Sequence, residues 1–512
     1  MIRRLALWAL TLLIYGGLWA GPATAQSTFR IAVGVDPDTL DPVQMTTTTV
    51  ANMVDYVVET LTFLDQEGKV RPMLAESWTV SPDGLQWTLK LRKGVAFHDG
   101  TPFDAKAVKW NLDRLKDPGV RVPIRAPFPI KEVDAVDAST VKVTLTRPSS
   151  PFVNALTWTT AGIISPASAD KQGNEYKNIV YPVGTGPYVF KERKKGESIT
   201  VTKYDKYWGK KPHYDTVLFR IVPEAATRES LLLAGQADLI VLPPIADLPA
   251  LGRNAAVKVL LAPSDRTIFM AFNTTKPPFN DPRVRQALNY AVDKQAIINS
   301  VLFGAADLMD APTAPSLFGY CKQGAYEFNP AKAKQLLAAT GVKPGTKVSY
   351  IHPTGRYTQD KEVAQAVAGY LREVGLEPVL QTMDWPTYIK TITTPADKGN
   401  TTEIHFLGWA PAFLDSAQQM LQFLSSYHPP AGLATTFYKD AKMDELIVAA
   451  DSESKEEKRR ELYCQIAKKV WDDAPWIFMY VQRYAIVHSA KVRDVGSMPN
   501  EKFYAVYARP AQ

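Results

Sequence analysis

The sequence predicts a mixed α/β protein built from more than one unit. Three observations carry that prediction. Alternating apolar and polar runs dominate the first part of the chain. Near residue 270 the rhythm changes to strands separated by amphipathic helices. At 512 residues, with 46% hydrophobic and 22% charged residues, the chain is long enough for about three units and has the composition of a folded globular protein.

The chain opens on a leader pattern. Arg3 and Arg4 precede the apolar run Leu5–Ala20, and Ala23-Thr24-Ala25 supplies small residues around a cleavage point. Residues 1–25 therefore read as a secretory signal peptide, which leaves a mature chain of 487 residues. The run is short for a membrane span and carries Gly16 and Gly17. Losing Arg3 and Arg4 takes the formal charge from +7 to +5, and the remaining basic residues are interspersed with acids. That pattern argues against a nucleic-acid surface. Two cysteines, Cys321 and Cys464, exclude a disulfide scaffold and a cysteine-based zinc site. An exported chain could join them, but the sequence does not give their separation in space.

Phe29–Val33 alternates as a strand before the turn-rich stretch 34–42. Trp87–Leu91 and Val141–Leu145 alternate likewise, with a turn at Ser81-Pro82-Asp83-Gly84. Asp104 caps a helix whose face carries Val108, Leu112 and Leu115. Asp281 caps, and Pro282 opens, a helix with Val284, Ala287, Leu288, Ala291 and Ile298 on one side, closed by Gly304. Asn329-Pro330 opens a further helix that Gly341 stops. Lys347–Ile351 is a strand, Val363–Val374 a helix ended by Gly375, and Glu377–Met383 and Glu403–Leu407 are strands. Strand, helix and strand in succession imply a parallel crossover, so a mixed α/β lobe occupies roughly residues 270–485.

Ligands of open α/β sheets gather at the carboxyl ends of parallel strands. Here those ends carry His352, Arg356 and Tyr357, then Asp384 and Trp385, then Gly408, Trp409, Ala410 and Pro411. A guanidinium forks onto carboxylates, and indoles supply rigid apolar plates. Core packing for Trp409 and a surface ion pair for Arg356 are the competing readings. No nucleophile elbow, HExxH, Walker loop or dinucleotide fingerprint occurs. Gly184-Thr185-Gly186 reads as a tight turn. Asp36, Asp38 and Asp41 read as turn caps rather than a calcium site, and the six histidines lack ligand spacing. The absence of a motif does not exclude catalysis, since triads are assembled in space rather than in sequence, and none of these patterns calls for a cofactor or metal.

The chain resembles the extracytoplasmic solute-binding proteins of family 5, the peptide/nickel group that serves ABC importers. The resemblance rests on the run Leu74–Gly84 (LAESWTVSPDG) followed by Trp87–Phe103 (WTLKLRKGVAFHDGTPF). Further matches are VGTGPY at 183–188, YWG at 207–209, LAGQAD at 233–238, FNT at 272–274, DPRVRQAL at 281–288, AVD at 291–293 and APW at 474–476. It implies a two-lobed periplasmic-binding-protein fold of type II, cluster C, with a hinged cleft. Lobe I would take residues 26–65, 185–270 and 489–512, an inserted subdomain 66–184, and lobe II 271–488. It further implies a periplasmic, monomeric binding subunit without catalysis. Such a subunit closes around a peptide or peptide-like solute and hands it to a membrane permease. A metal chelate of the nickel type or an opine is the alternative cargo, and a secreted hydrolase is the rival of a different class.

Site residues expected on this basis are Met45, Thr46 and Thr47 in the loop that begins at Gln44, together with Arg356, Tyr357, Gly408, Trp409, Ala410 and Asp415. Dipeptide-binding relatives carry an Asp three residues after the tryptophan, where this chain has Ala412, and a second Asp at the position of Asp415. Asp415 is equally readable as a helix cap. The loss at 412 predicts a longer, blocked or acidic peptide-like ligand over a free dipeptide.

Overall fold

The computed structural model describes residues 27–511 except 38, 46, 66, 124, 170–173 and 355. The leader 1–25, Asp38 and Thr46 thus lie outside the described residues.

One 11-stranded sheet runs through the whole molecule. Its order is Leu376–Met383, Thr346–Pro353, Ile404–Trp409, Val257–Phe272, Trp476–Ser489, Leu239–Val241, Thr28–Val33, Thr216–Ile221, Ser198–Lys203, Tyr188–Lys194. The short strand Ala306–Leu308 pairs separately with Trp476–Ser489. The two central strands are long, 16 and 14 residues, and antiparallel. Their outer halves pair at Val257–Pro263 with Ser489–Arg483, beside Leu239–Val241. Their other halves pair at Thr267–Ala271 with Val481–Trp476, beside Ile404–Trp409. Register shifts between Pro263 and Thr267, where the two lobes meet, and again between Ile268 and Phe269.

Each lobe has its own core. On the first side, Phe29, Ile31, Val33, Val54, Tyr56 and Phe219 bury together, continuous with the residues of a second sheet. That four-stranded sheet runs Ala75–Val80, Gln86–Leu91, Thr140–Leu145, Ile130–Asp137, and helix Ala105–Lys116 packs on it. Trp87 is buried in that core, and Trp78, partly buried, packs against the same core. Arg114 and Asp41, both wholly inaccessible, join this helix to the first lobe. The guanidinium donates to both carboxylate oxygens at 3.1 and 2.5 Å. On the second side the sheet has apolar layers on both faces, one around Val284, Leu288, Val363 and Val367, the other around Phe423, Ile466 and Trp476.

Capping explains the helix boundaries. The Asp104 side chain accepts from Ala107 N, Asp281 from Arg283 N and Asn329 from Lys332 N. One element differs from the sequence reading. The continuous helix expected from Pro282 to Gly304 is two helices, Pro282–Ala291 and Lys294–Ser300. Val292 is extended, and Asp293 caps the second helix through Ala296 N. Apolar spacing carried across the break because Ile297 and Ile298 return to the same core. The expected crossover is present: Thr346–Pro353 and Leu376–Met383 are parallel and flank helix Asp360–Glu373.

Cys321 and Cys464 form a disulfide, with Cα atoms 5.2 Å apart. At Gly184 the chain passes so close to residue 57 that an added Cβ would lie 2.1 Å from the Val57 carbonyl oxygen, so only glycine fits. The lobes also touch away from the hinge: Ser150 N donates to Asp451 O at 2.8 Å and its hydroxyl to Glu453 O at 2.5 Å. Among the described residues, no helix is long and apolar enough to cross a membrane.

Candidate functional site at the lobe junction

The junction is built around the irregular segment Ser264-Asp265-Arg266, which faces Gln482 on the partner strand. Three residues opposite one leave backbone groups out of register, and side chains fill the gap. Ser264 donates to Gln482 O at 2.6 Å and accepts from Arg266 N at 3.1 Å. Asp265 N donates to Pro499 O at 2.8 Å. Arg266 forks onto Glu501, Nε to Oε1 at 2.8 Å and Nη2 to Oε2 at 2.5 Å. Glu501 sits in the left-handed region with φ 59°. Asn52 fixes it there, donating to Glu501 O and accepting from Phe503 N, both at 3.1 Å. The C-terminal segment, the helix Thr48–Val54 and the hinge strand are thereby one unit.

The second lobe presents the ends of its strands to this unit. Arg356 N and Tyr357 N donate to Asp360 Oδ2 at 2.9 and 3.1 Å, which sets the loop. The Arg356 guanidinium lies over the Tyr357 and Trp385 rings, at 4.8 and 5.1 Å from their centroids. Tyr357 is buried, and its hydroxyl donates to Gly408 O at 3.1 Å. Gly408 is required by closeness: a Cβ there would meet Ile268 Cδ1 at 2.5 Å and Tyr357 Cε1 at 2.6 Å. Trp409 is half-buried, with an indole Nε1 that is inaccessible and unbonded. Its carbonyl accepts from Thr267 Oγ1, which in turn accepts from Gln419 Nε2. Ala410 follows, half-buried. Ala412 meets the first lobe, its carbonyl accepting from Asn500 Nδ2 at 3.3 Å.

The expected site residues thus fall into groups. Arg356, Tyr357, Gly408, Trp409 and Ala410 come together on neighbouring strand ends. Asp415 lies in a buried ion pair: its Oδ1 accepts from Arg459 at 2.7 Å, Tyr463 at 3.1 Å and, as a helix cap, Ala417 N at 2.9 Å. Met45 points into the first-lobe core with 1% exposure. Thr47 caps the helix Thr48–Val54 through Val50 N. Gln44 donates to Lys177 O at 2.7 Å. His352 is pinned between Pro353 O and Thr382 Oγ1, and Asp384 caps the helix Trp385–Ile392. Asp41 is committed to Arg114, and Asp36 bonds Arg193 and Gly196 N. Among the described residues, no cluster of three or more His, Cys, Asp or Glu could hold a metal.

Asp265, Arg266, Glu501 and Asn500 were not anticipated. An adjacent Asp-Arg pair inside the largely apolar run 257–272 is a readable signal for the first two. Glu501, 235 residues from Arg266, left none.

Electrostatics gives the junction a sign. Burial pushes Glu501 up, but Arg266 beside it outweighs that and holds the carboxylate below its ordinary value. Burial opposes the Arg266 charge, and Glu501 more than restores it. Burial lowers Arg356, which has no ion-pair partner among the described residues. Burial raises the Asp265 carboxyl well above its usual range, and Glu501 adds to the rise. Arg266 and Glu501 therefore pair, burial disfavours the charged form of Asp265, and Arg356, though it feels the charges of Glu501 and Asp360, has no ion pair among the described residues. Both Asp265 oxygens, Trp409 Nε1, Gln419 Oε1, Gln482 Oε1 and Asn500 Oδ1 are inaccessible polar atoms without a hydrogen-bond partner among the described residues.

The profile of the bacterial extracellular solute-binding proteins, family 5, matches residues 69–430. The glutathione-binding protein GsiB of Escherichia coli strain K12 is 31% identical over 490 residues, 95% of each chain. Its counterpart in Pectobacterium atrosepticum is 32% identical over 500 residues, 97% of this chain and 96% of that one. Among solved structures, DppA of Helicobacter pylori, an ABC transporter-associated periplasmic binding protein in complex with the peptide STSA, superposes with a TM-score of 0.80. It is 26% identical, covering 94% of this chain and 98% of that one.

Proposed function

This chain belongs to the bacterial extracellular solute-binding proteins of family 5, whose members serve ABC importers, and from that premise we propose that it captures an acidic, peptide-like solute between its lobes and delivers it to a membrane permease. The observation that supports the reading is Arg356, a half-buried guanidinium over two aromatic rings at the junction of the lobes, with no ion-pair partner among the described residues. A charge held in a dry site needs a counter-ion, and the solute supplies it. Similarity to glutathione-binding relatives names the first probe. Glutathione carries two carboxylates and one ammonium, a net negative charge that matches the junction.

Capture proceeds by hinge closure about the irregular segment 264–266. Contacts from both lobes favour the closed form, and that differential affinity shifts the population. Arg356 holds the carboxylate, Trp385 and Trp409 flank the solute, and backbone groups near Gly408 fix its orientation. The division into lobe I (26–65, 185–270, 489–512), an inserted subdomain (66–184) and lobe II (271–488) is supported by the separate apolar cores. Export to the periplasm through the 1–25 leader is supported by the Cys321–Cys464 disulfide, which suits an oxidising compartment. The protein acts as a monomer and performs no covalent chemistry on its cargo. Calorimetry with glutathione and with a neutral free dipeptide tests the reading: glutathione binds at least tenfold tighter and is recovered intact by mass spectrometry. Preference for the neutral dipeptide, or turnover of glutathione, contradicts it.

A further inference from the structure

Away from the hinge, the loop between Leu145 and Phe152 reaches the end of the second-lobe helix Ala441–Ser452. The last carbonyls of a helix have no partner within it, and that end carries the negative pole of the helix dipole. Two of them are served from their own lobe: Ala449 O accepts from Glu453 N at 3.0 Å, and Ala450 O from Arg459 Nε at 3.1 Å. The next are served from the other side. Ser150 N donates to Asp451 O at 2.8 Å, and Ser150 Oγ donates to Glu453 O at 2.5 Å. The Arg147 guanidinium pairs with the Asp451 carboxylate, so a cation stands at the negative pole.

Each half of this contact is fixed in its own body. Pro148 and Pro151 flank the two serines and restrict the backbone around them. Phe152 is wholly buried, its ring centroid 5.7 Å from that of Trp87, and Thr62 Oγ1 donates to Val153 O at 3.0 Å. The helix is seated by Met443, Leu446, Ile447 and Ala450 in the second-lobe core. A rotation of the lobes about the hinge therefore breaks or makes the three contacts together.

We propose that Arg147 and Ser150 form a clasp that engages only when the lobes are closed, and that it sets how long the solute is held without touching it. The proposal rests on the reading of capture by hinge closure and adds a latch remote from the solute. Contacts present in one of two states shift the population toward that state. When the lobes part, water takes over the freed carbonyls and the Ser150 groups, so the clasp tunes closure rather than forcing it. Its ionic part weakens with salt, since Arg147 is half exposed.

The test uses the full mature protein. Between Arg147 and Phe152 only Ser149 and Ser150 carry amide hydrogens, so hydrogen exchange of that stretch, read by mass spectrometry, reports closely on the Ser150 N–H. Saturating glutathione is expected to slow that exchange at least tenfold. The double variant Arg147→Ala/Ser150→Ala is expected to release glutathione about three- to thirtyfold faster, with the association rate changed less than twofold and the melting temperature of the empty protein unaltered. Equal protection of Ser150 with and without bound glutathione would show a fixed strut and overturn the clasp, and so would an unchanged dissociation rate in the variant; in both cases the solute reading survives. If wild type binds no glutathione, the solute reading falls and takes the clasp with it. The wild-type exchange measurement decides even if the variant does not fold.

Discussion

Replacing Arg356 by Gln isolates the contribution of the unpaired charge. In the empty protein the guanidinium stacks on Tyr357 and Trp385, two contacts worth about 0.5–1 kcal/mol each. Against this stands the cost of holding a half-buried cation with no ion-pair partner among the described residues, which burial registers by lowering its pKa. The two effects are of similar size and opposite sign, so the empty variant should melt with a stability within about 1 kcal/mol of wild type. The loaded state is different. A charge-assisted hydrogen bond contributes about 1.5–3 kcal/mol, and every 1.4 kcal/mol is tenfold in affinity. Arg356→Gln should therefore weaken glutathione binding by about 10- to 150-fold. The assay is paired: calorimetric titration for affinity, and thermal melting with and without ligand. A variant whose empty form is destabilised by several kcal/mol while its affinity is unchanged would refute the reasoning, because Arg356 would then be a packing residue.

Three further outcomes follow from the same contacts. Trp409→Phe keeps an aromatic plate but removes the unbonded indole N–H, so it should weaken ligand binding three- to tenfold without lowering the melting temperature of the empty protein, checked by the same two assays. The Cys321→Ser/Cys464→Ser pair reopens a loop of sequence separation 143, for which chain entropy sets a loss of up to about 5 kcal/mol, read by urea unfolding with and without reductant. Glu59 accepts from Thr185, Tyr207 and Trp208, yet burial raises its carboxyl to about 7. A raised acid binds its proton more tightly when folded, so its contribution is full below about pH 4.5 and is lost as pH climbs through 7. On the order of 3 kcal/mol is involved, and Glu59→Gln should flatten the fall in melting temperature between pH 5 and 8 relative to wild type.

What could be read in advance was what local rules decide. The strand at 347–351, the helix after it and the strand at 377–383 follow from periodicity and Gly375, and they place Arg356 and Trp385 at strand ends without any contact information. The caps at Asp104, Asp281 and Asn329 are equally local. The helix break at Val292 escaped because Ile297 and Ile298 continue the apolar face across it, and Asp293 resembles any exposed acid until its capping bond is seen. The floor of the site escaped for a different reason. Arg266 meets Glu501 and Asn52 meets Glu501 only through the fold, across 235 and 449 residues. Met45 illustrates the converse: it lies in the right loop, but its side chain turns into the first-lobe core. Loop position is legible in a sequence; side-chain direction there depends on the packing of distant segments.

The central claim, that the lobe junction selects an acidic peptide-like solute through Arg356, meets its most direct test in native mass spectrometry of the mature protein mixed with equal amounts of glutathione and a neutral free dipeptide. The account predicts a 1:1 complex dominated by glutathione, released intact, and the loss of that dominance in Arg356→Gln. A complex dominated by the neutral dipeptide, unchanged by Arg356→Gln, would contradict it.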